Sequence, residues 1–482
     1  MKFLIYIITT LIIVPVYAQD IDDGQVAEAV ETQLQVKKDI PAHLVDVEVE
    51  EGIVKLSGST EHLLAREMAE TSALSVRGVL GVVNLLEVKV PNLADDTLRN
   101  RILKAFEWDP AVEVNEVTPT VRDGHVILSG NVDSYQEKML VEDVTASVRG
   151  VRKITNYLEF VKDNQLPDME IREEITEILD YDGLIDGSLI DVMVEDASVR
   201  LRGVVSSAYE KERAIRLANM PGVDTVLAND LTINYDEAQQ SEAKQRTDQE
   251  IRQSVQKALA YDPRVEAENI EVSVDTAMVT LKGNVQDLQA RYAAQRTAQN
   301  IKGVDAIRNQ IEVKPEDVPA DGALAARARS KVIWDPFLEK HEINVEALDG
   351  TLFISGAVDT YYEKLRAENV LSRIEGVVSV ENDLLAQDYE GGASWKSEGT
   401  PIPVARDKSD LEIEEDIENE LWWSPFVNEE DINTNVDKGV AYLTGKVDSY
   451  REKKLAAINA YEGGAIFVDN QLEVSTELEV MD

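Results

Sequence analysis

The sequence predicts an α+β chain built of six tandem αββαβ modules, each a small three-stranded mixed sheet with two helices on one face. Three observations carry that prediction. Short apolar segments closed by a glycine recur at VKLSG (54–58), VILSG (126–130), VRLRG (199–203), VTLKG (279–283), LFISG (352–356) and AYLTG (441–445). Their glycines, Gly58, Gly130, Gly203, Gly283, Gly356 and Gly445, stand, by subtraction of their positions, 72, 73, 80, 73 and 89 residues apart. A second glycine follows each at a similar interval: Gly78, Gly150, Gly222, Gly303, Gly376 and the Gly463-Gly464 pair. Between these markers the hydrophobic period changes from helical to alternating in the same order every time.

The first element of each copy is a helix. Apolar residues fall four apart at Val26, Val30, Leu34; Leu98, Ile102, Phe106; Ile171, Ile175, Leu179; Ile251, Val255, Leu259; Leu324, Ala328, Val332; and Ile413, Ile417, Leu421. Charged residues between them leave one face to bury. Thr247 with Glu250, and Ser409 with Glu412, have the spacing of a capping box, in which hydroxyl and carboxylate satisfy free amides of the first turn.

Two strands follow. Asp123-Gly124 and Asp349-Gly350 lie between alternating apolar runs, and such pairs favour a tight turn with positive φ, so each run pair is expected to form an antiparallel hairpin. Pro119 in the first run of the second copy predicts an edge strand or a bulge, because proline has no N–H for a ladder.

The second helix opens on a recurring octapeptide: NVDSYQEK (131–138), AVDTYYEK (357–364) and KVDSYREK (446–453). Ser134, Thr360 and Ser449 precede Glu137, Glu363 and Glu452 by three, as Ser207 precedes Glu210 in the third copy, so this is a second capping box. Capping needs the hydroxyl and the Glu but not Tyr135, Tyr361, Tyr450 or the lysines, which leaves a partner surface as their alternative role. The second glycine is expected to cap this helix at its C-terminus. Apolar runs beyond it, each with an asparagine (Asn84, Asn156, Asn229, Asn309, Asn382, Asn470), supply the third strand, and a right-handed crossover then leaves both helices on one face.

The modules are bounded at 22–91, 93–163, 167–234, 247–314, 321–387 and 409–476, with linkers at 235–246 and 388–408. The second linker, rich in Gly, Pro and Ser, reads as a flexible tether. Residues 1–18 carry a cation at Lys2, an apolar run and Ala18, the pattern of a cleaved secretory signal peptide, with a retained anchor as the minor alternative. The expectation is a soluble exported protein.

Composition narrows the chemistry. There is no cysteine, which removes disulfides, thiol nucleophiles and Cys-ligated metals. Asp and Glu outnumber Lys and Arg by 92 to 48, a net charge of −44 that opposes nucleic acid and bare anionic bilayers. Nonspecific divalent cations remain compatible with so acidic a surface. His43, His62, His125 and His341 fall at unrelated positions and are expected at surfaces or hairpins, so no catalytic or metal constellation is expected and no cofactor is implied. The calcium-loop-like DYDGLIDG (180–187) has Leu184 at a ligand place and is not expected to be an EF-hand.

Aromatics recur where the first helix stops: Trp108, Tyr181, Tyr261, Trp334, and Trp422 with Trp423. They are expected to lid the small cores. The alternative is a row serving module packing or an external interface, with Trp423 the best candidate for exposure.

The glycine-marked αββαβ pattern resembles the BON domain, over nearly all of the chain beyond residue 21. Copy six departs in YEGGA (461–465) and copy one in GSTEHLLA, which replaces the octapeptide. What the resemblance implies is a periplasmic, non-enzymatic module tied to envelope integrity under osmotic stress, with envelope proteins or a phospholipid surface as partners.

Overall fold

The computed structural model describes residues 21–37, 40–90, 93–112, 116–160, 167–220, 222–239, 246–386 and 408–474. The leader segment 1–18 and nearly all of the tether 388–408 lie outside these residues. Six modules follow one another, each with the order helix, strand, strand, helix, strand. The first helices are Asp23–Val36, Asp95–Glu107, Asp168–Tyr181, Asp248–Tyr261, Asp321–Trp334 and Asp410–Trp423. All eighteen of the apolar residues spaced four apart are buried. The expected capping boxes form at Thr247 and Ser409, and Asp22 with Gln25 makes a third.

In every module the middle strand pairs antiparallel with the first and parallel with the third. Pro119 lies on the edge strand Val117–Arg122, where its missing N–H costs no ladder bond. Hairpin turns place Asp123 at φ 51 and Asp349 at φ 47, each followed by a glycine of positive φ. Modules three and four make the same turn without glycine, at Asp196-Ala197 and Thr276-Ala277, all four at positive φ.

These turns share a brace. The aspartate three residues before the first buried apolar residue of each first helix accepts hydrogen bonds from the turn amides. Asp23 takes Glu51 and Gly52, Asp168 takes Asp196 and Ala197, Asp248 takes Thr276 and Ala277, and Asp410 takes Lys438 and Gly439, at 2.8–3.0 Å. Asp95 and Asp321 take Asp123 and Asp349. The brace ties the helix start to the hairpin tip in all six modules.

The glycines need two corrections. Gly58 and its equivalents do not end the strand, which runs on past them (Ile53–Thr60, His125–Val132). They sit where the first strand departs, and a Cβ there would meet a backbone oxygen at 1.8–2.6 Å, so the site admits only glycine. The second glycines take positive φ, but most second helices stop several residues earlier, as at Leu74 and Ala146, so these glycines turn the chain after the helix.

The asparagine of the third strand ties that strand to the second helix. In modules one, two, four, five and six its Nδ2 donates to a helix carbonyl (from Arg66 to Lys453) and its Oδ1 accepts an amide two residues on. Asn229 of module three is exposed instead, because the strand Thr225–Ile233 shifts register between Leu227 and Asp230. The expected linker 235–246 starts with a helical turn, Tyr235–Ala238, that packs between modules. The hydrophobic side chains form six separate clusters, each dominated by one module.

Candidate interaction surface

The octapeptide first serves its own module. Ser134, Ser207, Thr360 and Ser449 each accept the amide of the Glu three residues on, at 3.0–3.1 Å. The Glu side chains, buried in Glu137, Glu210 and Glu363 and half-buried in Glu452, reach back to the amide before the cap, and those of Glu210 and Glu452 also hold the loop amides of Asp186 and Asn428. Lys138, Lys211 and Lys364 donate to third-strand carbonyls of Leu158, Leu231 and Leu384 at 2.6–2.8 Å. In module one His62 replaces the hydroxyl: its Nδ1 accepts from the Ala65 amide, and its ring packs edge-on against Phe337 of module five. His62 is buried, not at the surface as expected, and burial pushes its imidazole down to about 3, so it stays neutral.

The modules then pair in nested order, one with six, two with five, three with four. Each pair meets at equivalent positions of its two first helices: Gln33 donates to Glu420, Lys331 Nζ donates to the Ala105 carbonyl at 3.4 Å, and Lys257 pairs with Glu177. Contact between equivalent positions is the mark of a local two-fold relation.

A second device repeats in each pair. The residue before the second glycine in modules one, two and four, namely Arg77, Arg149 and Lys302, donates its amide to the carbonyl of the partner's helix-end aromatic. The acceptors are Trp423, Trp334 and Tyr181, at 2.8–3.0 Å. The same cations ion-pair with acids five or six residues beyond those aromatics: Glu429, Glu339 and Asp186. Partly exposed ion pairs contribute about 0–1 kcal/mol each, and the backbone bond about 1 kcal/mol. Stacking adds to this. Trp108 and Trp334 stack with centroids 5.1 Å apart and planes 5° from parallel, and Arg77 lies over the rings of Tyr235 and Trp422.

The aromatics are therefore placed by their partners. Tyr181 lies in the core cluster of module four, and Trp423 packs on that of module one. Trp423 is half-buried rather than exposed, because Trp422 meets it edge-on and module one covers it. Tyr261 is 36% exposed.

A third set of contacts uses the first residue of the second helix. Leu63 enters the core of module two, Ala208 that of module one and Leu288 that of module five, and the Tyr450 amide donates to Val304 of module four. The half-buried Tyr135 occupies the same position and shares its surroundings with Arg216 and Glu212 of module three; burial raises its phenol. The Tyr361 side chain lies outside what is described.

Helix-stop aspartates also grip arginines: Asp182 holds Arg213, Asp262 holds Arg264 and Asp335 holds Arg366, at 2.6–2.9 Å. Asp182 belongs to the calcium-like segment and is committed to this ion pair. Where modules one, two and five meet, a cavity of roughly 250 Å³ is lined by Asp109, Asp143, Lys331, Arg366 and Arg373. Burial pushes the Lys331 ammonium down to about 8, and Asp109 Oδ2 is buried without a partner.

His341, Asp359 and Glu363 come together within 4.8 Å, a grouping that sequence reasoning did not find. Its carboxylates are already engaged: Lys340 Nζ lies 2.9 Å from both, and Glu363 accepts the Asp359 and Thr360 amides. No helix among the described residues is long and apolar enough to cross a membrane.

The BON domain family model matches residues 22–90, 94–162, 167–235, 247–315, 320–388 and 409–476. The chain is 28% identical over 143 residues to "Osmotically-inducible protein Y" of Escherichia coli, covering 28% of this chain and 71% of that one. It is 26% identical over 138 residues to "Outer membrane lipoprotein DolP" of Haemophilus influenzae, with the same coverage. Among solved structures it is similar to CdsD, a structural protein of the Type III secretion system of Chlamydia trachomatis. That similarity is 12% identity with a TM-score of 0.13, covering 43% of this chain and 91% of that one.

Proposed function

Because this chain belongs to the BON domain family, with the domain matched six times, we propose that it is a non-enzymatic scaffold or interaction protein of the periplasm, active in osmotic or envelope stress. The observation that carries this reading is that the recurring residues are committed to capping, to bracing and to contacts between modules. An assembly fixed in this way presents several surfaces in one frame, and multivalent docking gains avidity without any single strong site. The names of the two relatives, one osmotically inducible and one an outer-membrane lipoprotein, support the compartment and the setting. Residues 1–18 would direct export and be removed after Ala18. The partners are envelope proteins held weakly at several points.

Fractionation with cross-linking before lysis tests the reading. The tagged chain should appear in the osmotic-shock fluid, cross-linked to envelope proteins. Recovery in the cytoplasm, or only as the free chain, would contradict it.

A second reading is docking on a phospholipid surface. It is favoured by Met169 and Leu411, which occupy equivalent places in the first helices of modules three and six and are 62% and 77% exposed. The chain should then sediment with liposomes, and Leu411→Ser should weaken this. No sedimentation on zwitterionic or anionic vesicles, with or without calcium, removes the reading.

A further inference from the structure

We propose that the cavity where modules three, four and six meet is a binding site for a small amphipathic anion: an apolar chain bearing one carboxylate or phosphate. The cavity measures roughly 640 Å³, within the range of about 300–1,000 Å³ typical of small-molecule sites. Leu184, Ile185, Pro425, Phe426, Leu455 and Val474 give it an apolar wall drawn from modules three and six. Arg451, Arg246 and Lys302 supply the cations of its lining.

The polar lining is mostly committed, and the exceptions are informative. Glu210 holds the Ser206 and Asp186 amides, Glu452 holds those of Asn428 and Asp448, and Asp248 holds those of Thr276 and Ala277. Lys302 pairs with Asp186 at 3.5 Å. The Arg246 side chain is 6% exposed and gives one terminal nitrogen to the Asp180 carbonyl and carboxylate, while its Nε is buried without a hydrogen-bond partner. Arg451 Nε is likewise buried without a partner, and no ion pair holds this guanidinium among the described residues. Asp448 is the one lining carboxylate that accepts no hydrogen bond among the described residues; it is exposed at the cavity, and partial burial with Asp431 nearby raises its carboxyl.

Buried guanidinium N–H groups left unpaired are costly, and an anionic head bonding them removes that cost. The apolar wall needs a tail of matching chemistry. Neither feature belongs to a single module, since the cavity forms only where three modules meet. The inference does not rest on the envelope role proposed above.

Calorimetric titration of the full chain with dodecanoate and with dodecyl phosphate, below their micelle concentrations, tests it. One site per chain is expected, weakening roughly fourfold for each methylene removed. Arg451→Gln should weaken binding at least about tenfold with an unchanged melting temperature. Leu184→Trp, which fills the cavity and leaves every charge in place, should weaken it too and decides the matter if Arg451→Gln fails to fold. Dodecanol and inorganic phosphate should each bind far more weakly. The proposal is overturned if neither amphiphile binds, if both substitutions leave affinity unchanged, or if inorganic phosphate alone binds as well as dodecyl phosphate.

Discussion

Trp334→Ala offers a quantitative check on the pairing of modules two and five. The ring stacks on Trp108 at 5.1 Å, and Arg101 lies over it at 5.8 Å. An aromatic pair contributes about 0.5–1.5 kcal/mol beyond its buried area, and an accessible cation over a ring about 0.5–1 kcal/mol. With the apolar area of a half-buried indole added, truncation should cost about 3–4 kcal/mol of stability. The coupling isolates the contact. In a urea cycle of Trp108→Ala, Trp334→Ala and both together, the two losses should overlap by about 1 kcal/mol. Hydrogen exchange gives a local readout, since the Arg149 amide donates across the pair to the Trp334 carbonyl and should exchange faster in either variant. A coupling below about 0.3 kcal/mol, with Arg149 exchange unchanged, would refute the pairing.

Asp168→Ala frees the amides of Asp196 and Ala197, both at positive φ, and should cost about 1–3 kcal/mol in urea unfolding, with Ala197→Gly restoring about 1 kcal/mol. Gln289 is 1% exposed with neither side-chain polar atom partnered, so Gln289→Met should raise stability by about 1–2 kcal/mol; a loss would show that the amide is satisfied. Stability should also depend on pH from both sides. His62, held down to about 3 by burial, leaves the folded chain binding fewer protons than the unfolded one below pH 6.5. Stability therefore falls as pH drops from there, by about 3 kcal/mol at pH 4, and His62→Asn should flatten this limb. Glu420, pushed up to about 7 mainly by burial beside Gln33, acts in the opposite sense. Folded-state protonation is favoured between 4.5 and 7, so stability falls as pH rises through that window, by about 1–3 kcal/mol from Glu420. Glu420→Gln should reduce this limb in thermal melts, Glu452, also pushed up to about 7 by burial, supplying the rest.

Much of each module was legible in the sequence because its signals are local. The apolar spacing of four, the Ser/Thr-x-x-Glu boxes and Asp123-Gly124 each act within a few residues and survive in every context. Another local signal was present and went unread: Asp23, Asp95, Asp168, Asp248, Asp321 and Asp410 all stand three residues before the first buried apolar residue, in every copy. The strand pairs of modules three and four were expected, but their turn residues, Asp196-Ala197 and Thr276-Ala277, were not, because they take positive φ without a glycine and rest on that brace. His62 was hidden for a different reason, since burial by Phe337 is decided by a module nearly three hundred residues downstream. The pairing left one trace. A cation precedes the second glycine in copies one, two and four, whereas their partners carry Gly463, Glu375 and Pro221 there. Without the nested order of contacts, those three cations read as solvated surface charge, and Trp423 as exposed.

Small-angle X-ray scattering of the chain lacking residues 1–18 tests the central claim most directly: that the repeated letters close six modules onto one another. A compact chain of this length has a radius of gyration of about 23 Å, and an assembly of paired modules should stay below about 30 Å. Six modules of about 11 Å each, strung on tethers without contact, would exceed roughly 40 Å and contradict the account.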